Sequence, residues 1–290
     1  MQAHAADAVT TPGSRVISPR PPGVFERLRE LWTYRRLIRF FGRRALEKRY
    51  LRTWIGWPWI PLRPVLEVGS RALLFGGLLG VPSQGIPYPI FLLVGMAAWE
   101  LFDRTAFWAM RSLDINKSIL RRIYVPRLTV VAGAIVPSGI EYLIYGVITA
   151  IIMLVYWLGD GVLYAVAGPQ TLVALAGLAL LIAMAYGIGM VLSVYAAQAR
   201  DVRFIYGYIM GFWLFLTPVL YPLSAIPPFF QTLADVNPMT APIVMVKYGF
   251  LGIGEVTTTS LIATFVAIAV FLGGGLRFFN AAETRTLDSF

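Results

Sequence analysis

Six long apolar stretches constrain this chain more than any other feature of its sequence. A membrane-spanning helix needs about 20 mostly apolar residues, and each stretch is near or above that length. They cover residues 61–81, 88–110, 128–158, 170–197, 204–221 and 258–279. The chain is only 14% charged, whereas a soluble domain carries about 25% charged residues. The sequence therefore predicts an all-α integral membrane protein with about six transmembrane helices.

The distribution of basic residues predicts the orientation of these helices. Bases concentrate before the first span, in residues 111–127, in the turn 200–203 and at the C-terminus, and the alternate connections hold almost none, chiefly Lys247. Basic connections stay on the cytoplasmic side of a membrane. We therefore predict that both termini are cytoplasmic (N-in, C-in). The basic residues behind the net charge of +10 lie beside the spans, where such residues attract anionic lipid rather than nucleic acid.

The remaining domain boundaries follow from composition. Residues 1–22 are rich in Ala, Thr, Ser and Pro, which predicts a disordered cytoplasmic tail, and they contain no apolar core of a signal peptide. Residues 23–56 alternate bases with apolar residues at helical spacing, which predicts an amphipathic helix in the cytoplasmic interface. Residues 57–280 hold the spans, and residues 281–290 form a cytoplasmic tail.

The segment 111–127 is a short cytoplasmic connection with a helical pattern of its own. Its bases are Arg111, Lys117, Arg121, Arg122 and Arg127, against the single acid Asp114. Ile115, Ile119 and Ile123 recur every four residues and therefore share one helix face. Ser112 or Asp114 is expected to cap this helix, and Pro126 to end it. The helix either rests on lipid headgroups or docks onto a cytoplasmic partner.

Charged residues also occur inside the predicted spans, where they face protein or water rather than lipid. Arg63, Glu67 and Arg71 lie at four-residue steps on one face of the first span. Glu100, Asp103 and Arg104 lie in the second span, and Glu141 lies in the third. We expect Glu100 and Asp103 to pair with Arg104.

Two further segments carry structural signals. Residues 218–250 are apolar, but prolines interrupt any continuous helix there, which predicts short external re-entrant helices before the last span. These prolines are Pro218, Pro222, Pro227, Pro228, Pro238 and Pro242. In the fourth span, small residues favour close helix packing. They are Gly177, Ala183, Gly187 and Gly189.

Several chemistries are excluded by the residues present. The chain has no cysteine, its only histidine is His4, and it contains no Gly-Lys pair of a phosphate-binding loop. We therefore expect no catalytic residue, no metal site and no cofactor in this chain, and no ATP hydrolysis by that route.

Six motifs in order resemble the transmembrane subunits of ABC-2 type exporters, specifically the polysaccharide and O-antigen export permeases. The resemblance covers roughly residues 35–275. The motifs are Lys48–Trp59, Pro87–Phe91 followed by Gly95 and Trp99, Asn116–Arg127, Arg200-Asp201, Thr217–Pro222 and Asn237-Pro238. The resemblance implies a homodimer in a bacterial inner (plasma) membrane, with two copies of a separate ATPase subunit that binds ATP and Mg. It implies a substrate glycan carried on a polyprenyl diphosphate lipid, such as an O-antigen, a galactan or a teichoic-acid-like polymer.

The resemblance also assigns expected roles to residues. The ATPase-coupling residues are Ile115, Lys117, Ile119, Arg121, Arg122 and Ile123. The aromatic substrate path is expected to use Trp99, Phe102, Phe107, Trp108, Tyr145 and Trp213, although packing and an interfacial belt explain single aromatics equally well. The lipid diphosphate is expected to meet Arg43, Arg44, Lys48 and Arg49, for which plain membrane anchoring is the alternative.

Two other functions stay open at this point. One is an ABC-2 exporter of a small hydrophobic compound or lipid. The other is a membrane enzyme or assembly factor for surface glycans. A neighbouring gene for an ATPase with a carbohydrate-binding domain favours glycan export, whereas transferase activity of the purified chain without ATP favours the enzyme.

Overall fold

The computed structural model describes residues 31–50, 54, 56–122 and 125–286. The predicted tail 1–22, residues 23–30 of the predicted interface helix, Ile123 and residues 287–290 lie outside these ranges. The described residues are helical and contain no strand. The predicted all-α fold is therefore confirmed for this part of the chain.

The described residues form eleven α-helices, which take numbers in chain order. They are α1 Arg35–Tyr50, α2 Trp59–Arg71, α3 Tyr88–Leu120, α4 Arg127–Ala132, α5 Ile135–Asp160, α6 Gln170–Ala196, α7 Asp201–Leu216, α8 Pro228–Val236, α9 Thr240–Leu251, α10 Thr258–Ile268 and α11 Gly274–Thr286. Wider π-helical turns extend α2 over Ala72–Leu78 and join α10 to α11 over Ala269–Gly273. Helix α11 continues to Thr286, so the described part of the predicted tail 281–290 is helical.

Three of these helical units are long and apolar enough to cross a membrane. They are Arg127–Asp160, which joins α4 to α5, Gln170–Ala196, and Thr258–Phe279. The third, fourth and last predicted spans therefore correspond to clear apolar helices. The other predicted spans coincide with helices that carry more charge or are shorter.

Helix α3 is the centre of the bundle and passes without a break through the start of the basic segment. Its 33 residues extend about 50 Å, whereas the hydrocarbon core of a bilayer is about 30 Å thick. The expected helix start at Ser112 or Asp114 is therefore wrong. Charged and polar residues continue a helix almost as readily as apolar ones, so the helix does not end where the apolar run ends.

Helix α6 packs closely against α3 and α9 because small residues line its contact faces. A Cβ atom added to Gly177 would lie 2.8 Å from the carbonyl oxygen of Pro242 in α9. A Cβ atom added to Gly189 would overlap the Cβ of Ala109 in α3. Close packing through the small residues of the fourth predicted span is therefore confirmed at these two positions.

The proline-rich segment after α7 folds into the short helices α8 and α9, joined by turns whose backbone is satisfied by side chains. Lys247 Nζ donates to the carbonyl oxygens of Pro218 at 2.7 Å and Val219 at 3.0 Å. The Tyr88 hydroxyl donates to the carbonyl of Leu220 at 2.8 Å. Asn237 Nδ2 donates to the carbonyl of Leu216 at 3.1 Å. These bonds allow irregular backbone to be buried inside an apolar protein.

Candidate functional site

A buried network of charges joins α3 to α5 in the interior of the bundle. Arg104 Nε lies 2.7 Å from Oε2 of Glu100 and 3.5 Å from Oε2 of Glu141, and Arg104 Nη2 lies 3.6 Å from Oδ2 of Asp103. The four residues are at most 9% exposed. The expected pairing of Glu100 and Asp103 with Arg104 is therefore confirmed, and Glu141 joins the same guanidinium.

Helix α7 is tied to this network through Tyr206. The Tyr206 hydroxyl lies 2.8 Å from both the backbone oxygen and Oδ1 of Asp103, and the residue is 4% exposed. A neutral contact reinforces the junction of α3 and α5, because Thr105 Oγ1 donates to Ser138 Oγ at 2.9 Å. The network therefore fixes three helices relative to one another.

The charged face of α2 lies at the edge of the same network. Arg63 Nε lies 2.6 Å from Oε1 of Glu67, and the two side chains are 31% and 26% exposed. Arg63 also interacts electrostatically with Glu100 and Arg104, and Arg71 Nη1 donates to the backbone oxygen of Glu67 at 3.2 Å. The three charges of the first predicted span therefore share one face, as expected from their spacing.

The network has the chemistry of a structural junction between helices. Three carboxylates surround one guanidinium, which offsets part of the electrostatic cost of burying them. Among the residues that the structure describes, no group of three His, Cys, Asp or Glu side chains is arranged to hold a metal ion. Such a network favours one arrangement of α3, α5 and α7.

The basic end of α3 holds a second set of charges, outside the predicted span. Arg203 Nη2 of α7 lies 3.1 Å from Oδ2 of Asp114, and the Arg111 guanidinium lies 5.6 Å from the ring centre of Phe107. Burial, followed by the positive charge of Arg203, lowers the pKa of Arg111. The basic turns of α3 are thus anchored to α7.

The isoleucines of the basic segment meet other parts of the chain itself. Ile115 is half-buried and packs against a cluster that contains Ala45 of α1. Ile119 is half-buried against Phe41 of α1 and Val130 of α4. The third isoleucine, Ile123, lies outside the described residues. The helical spacing therefore marks a real apolar face, but α1 and α4 cover part of it.

Two basic residues of the same segment remain exposed. Arg121 and Arg122 are exposed in the turn after α3, and Lys117 is half-buried. The assignment of this segment to ATPase coupling stays a prediction. Its accessible part is the pair Arg121 and Arg122 rather than the isoleucine face.

The bases expected to meet a lipid diphosphate make different contacts where the structure describes them. Arg43 is exposed and pairs with Glu47 at 2.9 Å, whereas Lys48 Nζ donates to the backbone oxygen of Ile115 in α3 at 2.6 Å. The buried Nε of Arg44 finds no hydrogen-bond partner within the described part of the chain. The side chain of Arg49 lies outside that part. The role of these four residues in lipid binding stays a prediction.

Five of the six aromatic residues expected along a substrate path form two groups on α3 and α7, and Tyr145 lies on α5. Ring centres lie 5.6 Å apart for Trp99 and Phe102 and for Phe102 and Trp213, and 5.6 Å apart for Phe107 and Trp108. Four of the six are at most 3% exposed, namely Trp99, Phe102, Trp108 and Tyr145. Within one chain these four pack the core, and Phe107 and Trp213 keep partial exposure. The path itself stays a prediction.

Two buried polar residues of structural importance were not identified as such from the sequence. Tyr206 lies in an apolar run with no local sign of its partner Asp103, which is 103 residues away. Lys247 did carry a signal, because it is an isolated base within an apolar segment. Such a residue is buried only with partners, and here the partners are two backbone carbonyls and the ring of Phe91.

The described residues are all-α, with three apolar units long enough to span a membrane and buried, paired charges, as in a polytopic membrane protein. Comparison with known proteins specifies the class further. The chain belongs to the ABC-2 type transporter family, whose domain matches residues 36–251.

Individual relatives are transport proteins by name. The chain is 28% identical over 202 residues to the O-antigen export system permease protein RfbA of Myxococcus xanthus, covering 69% of this chain and 73% of the relative. It is 22% identical over 249 residues to the polysialic acid transport protein KpsM of Escherichia coli, covering 85% and 93%. It is 27% identical over 233 residues to the inner membrane transport permease YadH of Escherichia coli K12, covering 77% and 86%.

Proposed function

We propose that this chain is the permease subunit of an exporter that moves a polyprenyl-diphosphate-linked polysaccharide across a bacterial inner membrane. The observation that carries the proposal is membership of the ABC-2 transporter family over residues 36–251, together with similarity to relatives named for O-antigen export and polysialic acid transport. The glycan is an O-antigen, a galactan or a teichoic-acid-like polymer.

The proposal includes six spans with both termini inside. The three clear apolar units supply the third, fourth and sixth spans. The first span is Trp59–Leu78, formed by α2 and its π-helical turn, and the second is the apolar part of α3. The fifth is α7, whose 16 residues extend about 24 Å and are completed by the turn that follows. The short helices α8 and α9 then re-enter the outer side of the membrane.

Transport requires an energy source on another polypeptide, because the sequence has no phosphate-binding loop. The working unit is a homodimer with two copies of an ATPase subunit, which binds ATP and Mg. The ATPase contacts the basic end of α3, where Arg121 and Arg122 are exposed. Movement of this end passes to α5 and α7 through the network around Arg104. The permease itself needs no cofactor.

Deletion of the gene, followed by lipid analysis of the cells, tests the proposal. We expect a polyprenyl-linked glycan to accumulate on the inner side of the membrane while the same glycan disappears from the cell surface. Restoring the wild-type gene should reverse both effects. Normal surface glycan in the deletion strain would overturn the proposal.

A second candidate is export of a small hydrophobic compound or lipid. It is favoured by an apolar cavity of about 460 Å³ between α1, α4, α5, α6 and α11, with Ile38, Tyr186 and Leu276 in its wall. In that case the deletion strain should keep its surface glycan and retain an apolar compound instead. The same lipid analysis therefore separates the two candidates.

A further inference from the structure

A polar cavity of about 560 Å³ lies at the end of the bundle where α3 begins. Its wall is formed by the turn before α3, by α8 and α9, and by the connection after α9. Residues 111–120 lie at the opposite end of α3, so in the proposed orientation this cavity faces the outside. Its volume falls within the range of about 300–1,000 Å³ that small-molecule sites occupy. The cavity is therefore large enough for one or two sugar rings.

Lys247 forms part of the cavity wall, but its Nζ atom is already bound by other groups of the protein. The residue is 4% exposed. Its Nζ atom donates to the carbonyls of Pro218 and Val219 and lies 3.6 Å from the ring centre of Phe91. These contacts stabilise the turn Thr217–Leu220 and make the wall rigid. A rigid wall lowers the entropic cost of binding a ligand.

The groups left to meet a ligand are carboxylates and amides. Asp235 accepts a hydrogen bond from Thr257 Oγ1 at 2.9 Å through Oδ1, which orients its carboxylate. Glu255 is exposed and makes no ion pair with any residue that the structure describes. Gln84 lines the same cavity with a φ of 55°, a left-handed conformation that a non-glycine residue adopts at an energetic cost. The cavity thus presents several hydrogen-bonding groups, of which the Asp235 carboxylate is oriented by Thr257.

Tyr248 adds an aromatic surface to these polar groups. It lines the cavity and is 37% exposed, whereas Phe91 beside it is fully buried. The face of an aromatic ring carries partial negative charge and attracts the weakly positive C–H bonds of a ligand. A pyranose ring offers such C–H bonds on one face and hydroxyl donors for carboxylates and amides along its edge. The chemistry of the cavity therefore matches a sugar.

We propose that this cavity binds a sugar unit of an uncharged glycan at the outer face of the permease. Asp235 and Glu255 select against acidic sugars, because like charges placed opposite each other suppress the wrong partner. The inference rests on the proposed function, which it narrows from polysaccharide in general to polysaccharide without acidic sugars.

Saturation-transfer NMR on the full-length permease in lipid nanodiscs tests this assignment with three probes. They are mannotetraose, chitotetraose and the acidic tetragalacturonate. We expect saturation transfer to at least one uncharged probe and none to tetragalacturonate. Tyr248→Ala should weaken binding about tenfold or more, since removing an aromatic anchor typically costs that much. Tyr248→Phe keeps the ring and should bind like the wild type.

Two near-isosteric variants, Asp235→Asn and Glu255→Gln, keep the test decisive if Tyr248→Ala fails to fold. The double variant that carries both substitutions should bind tetragalacturonate and show saturation transfer to it. Lack of transfer to both uncharged probes at millimolar concentration would overturn the inference, as would equal binding of tetragalacturonate by the wild type.

If no probe binds but the deletion strain accumulates lipid-linked glycan, this inference alone fails. If a probe binds but surface glycan stays normal after deletion, the export proposal fails.

Discussion

The Nε atom of Arg104 in α3 lies 3.5 Å from Oε2 of Glu141 in α5. Both side chains are about 10% exposed, and Glu100 and Asp103 share the same guanidinium. Loss of the cation would remove the guanidinium that three buried carboxylates share. This junction is therefore the place where a single substitution should affect the bundle most.

Replacing Arg104 with methionine tests that expectation. We expect Arg104→Met to lower the free energy of unfolding by about 3–5 kcal/mol, the usual cost of removing one partner of a buried ion pair. Thermal unfolding of the purified permease, followed by size-exclusion chromatography, measures the change. Arg43→Met is the matched control, because the pair of Arg43 with Glu47 in α1 is exposed and should contribute about 1 kcal/mol or less. Equal losses in the two variants would contradict the central role of Arg104.

Charge reversal at the end of α3 tests the ATPase contact without disturbing the core. Arg121→Glu combined with Arg122→Glu changes two exposed side chains, so the permease should fold and insert normally. We expect the variant to lose co-purification with its ATPase, because like charges would then oppose the docking surface. Wild-type levels of the ATPase in the purified complex would show that the contact lies elsewhere.

Ile119→Asp should behave differently, because Ile119 packs against Phe41 and Val130. A carboxylate placed in this half-buried contact is expected to cost about 1–3 kcal/mol of stability by detaching α1 from α3 and α4. Limited proteolysis between α1 and α2 should accelerate. A variant that keeps wild-type stability and proteolysis but loses its ATPase would instead place Ile119 directly in the docking surface.

The orientation of the chain is testable with single cysteines, since the natural sequence has none. Cysteines at Gly161 and Ser224 should react with an impermeant thiol reagent added outside intact cells. A cysteine at Ser118 should react only after the cells are opened. Labelling of Ser118 from outside would contradict the N-in, C-in arrangement.

The close contact of α6 with α9 predicts a steric effect at Gly177. Gly177→Val should cost about 1–3 kcal/mol, because even a Cβ atom there would lie 2.8 Å from the carbonyl oxygen of Pro242. Gly146→Val in α5 is the control, since no atom lies within 4 Å of its added Cβ. A comparison of their unfolding temperatures should show a loss for Gly177→Val only.

Local spacing predicted those parts of the charge network that lie within one helix. The pairs Arg63–Glu67 and Glu100–Arg104 are four residues apart, and both form. The contributions of Glu141 and Tyr206 depend on how α5 and α7 pack against α3, and no pattern along the chain encodes that packing. Sequence reasoning therefore found charges in the spans but not the junction that they build.

The basic segment shows a second limit of reading a single sequence. The four-residue spacing of Ile115 and Ile119 correctly indicated a helical face, because spacing alone determines which residues share a side. It did not reveal that α1 and α4 cover that face. It also did not locate the start of the helix. The end of an apolar run marks the edge of the membrane, and α3 continues beyond that edge to Leu120.

The unbroken helix α3 places Phe91, beside the polar cavity, and Arg121, just past its last residue, at opposite ends of one helix. A glycan in the cavity and an ATPase at the basic end would then act on the position of the same helix. Thermodynamic reciprocity requires that whatever factor the ATPase imposes on glycan affinity, the glycan imposes on ATPase affinity. A glycan bound in the cavity would thereby change how tightly the permease binds its ATPase at the other end of α3.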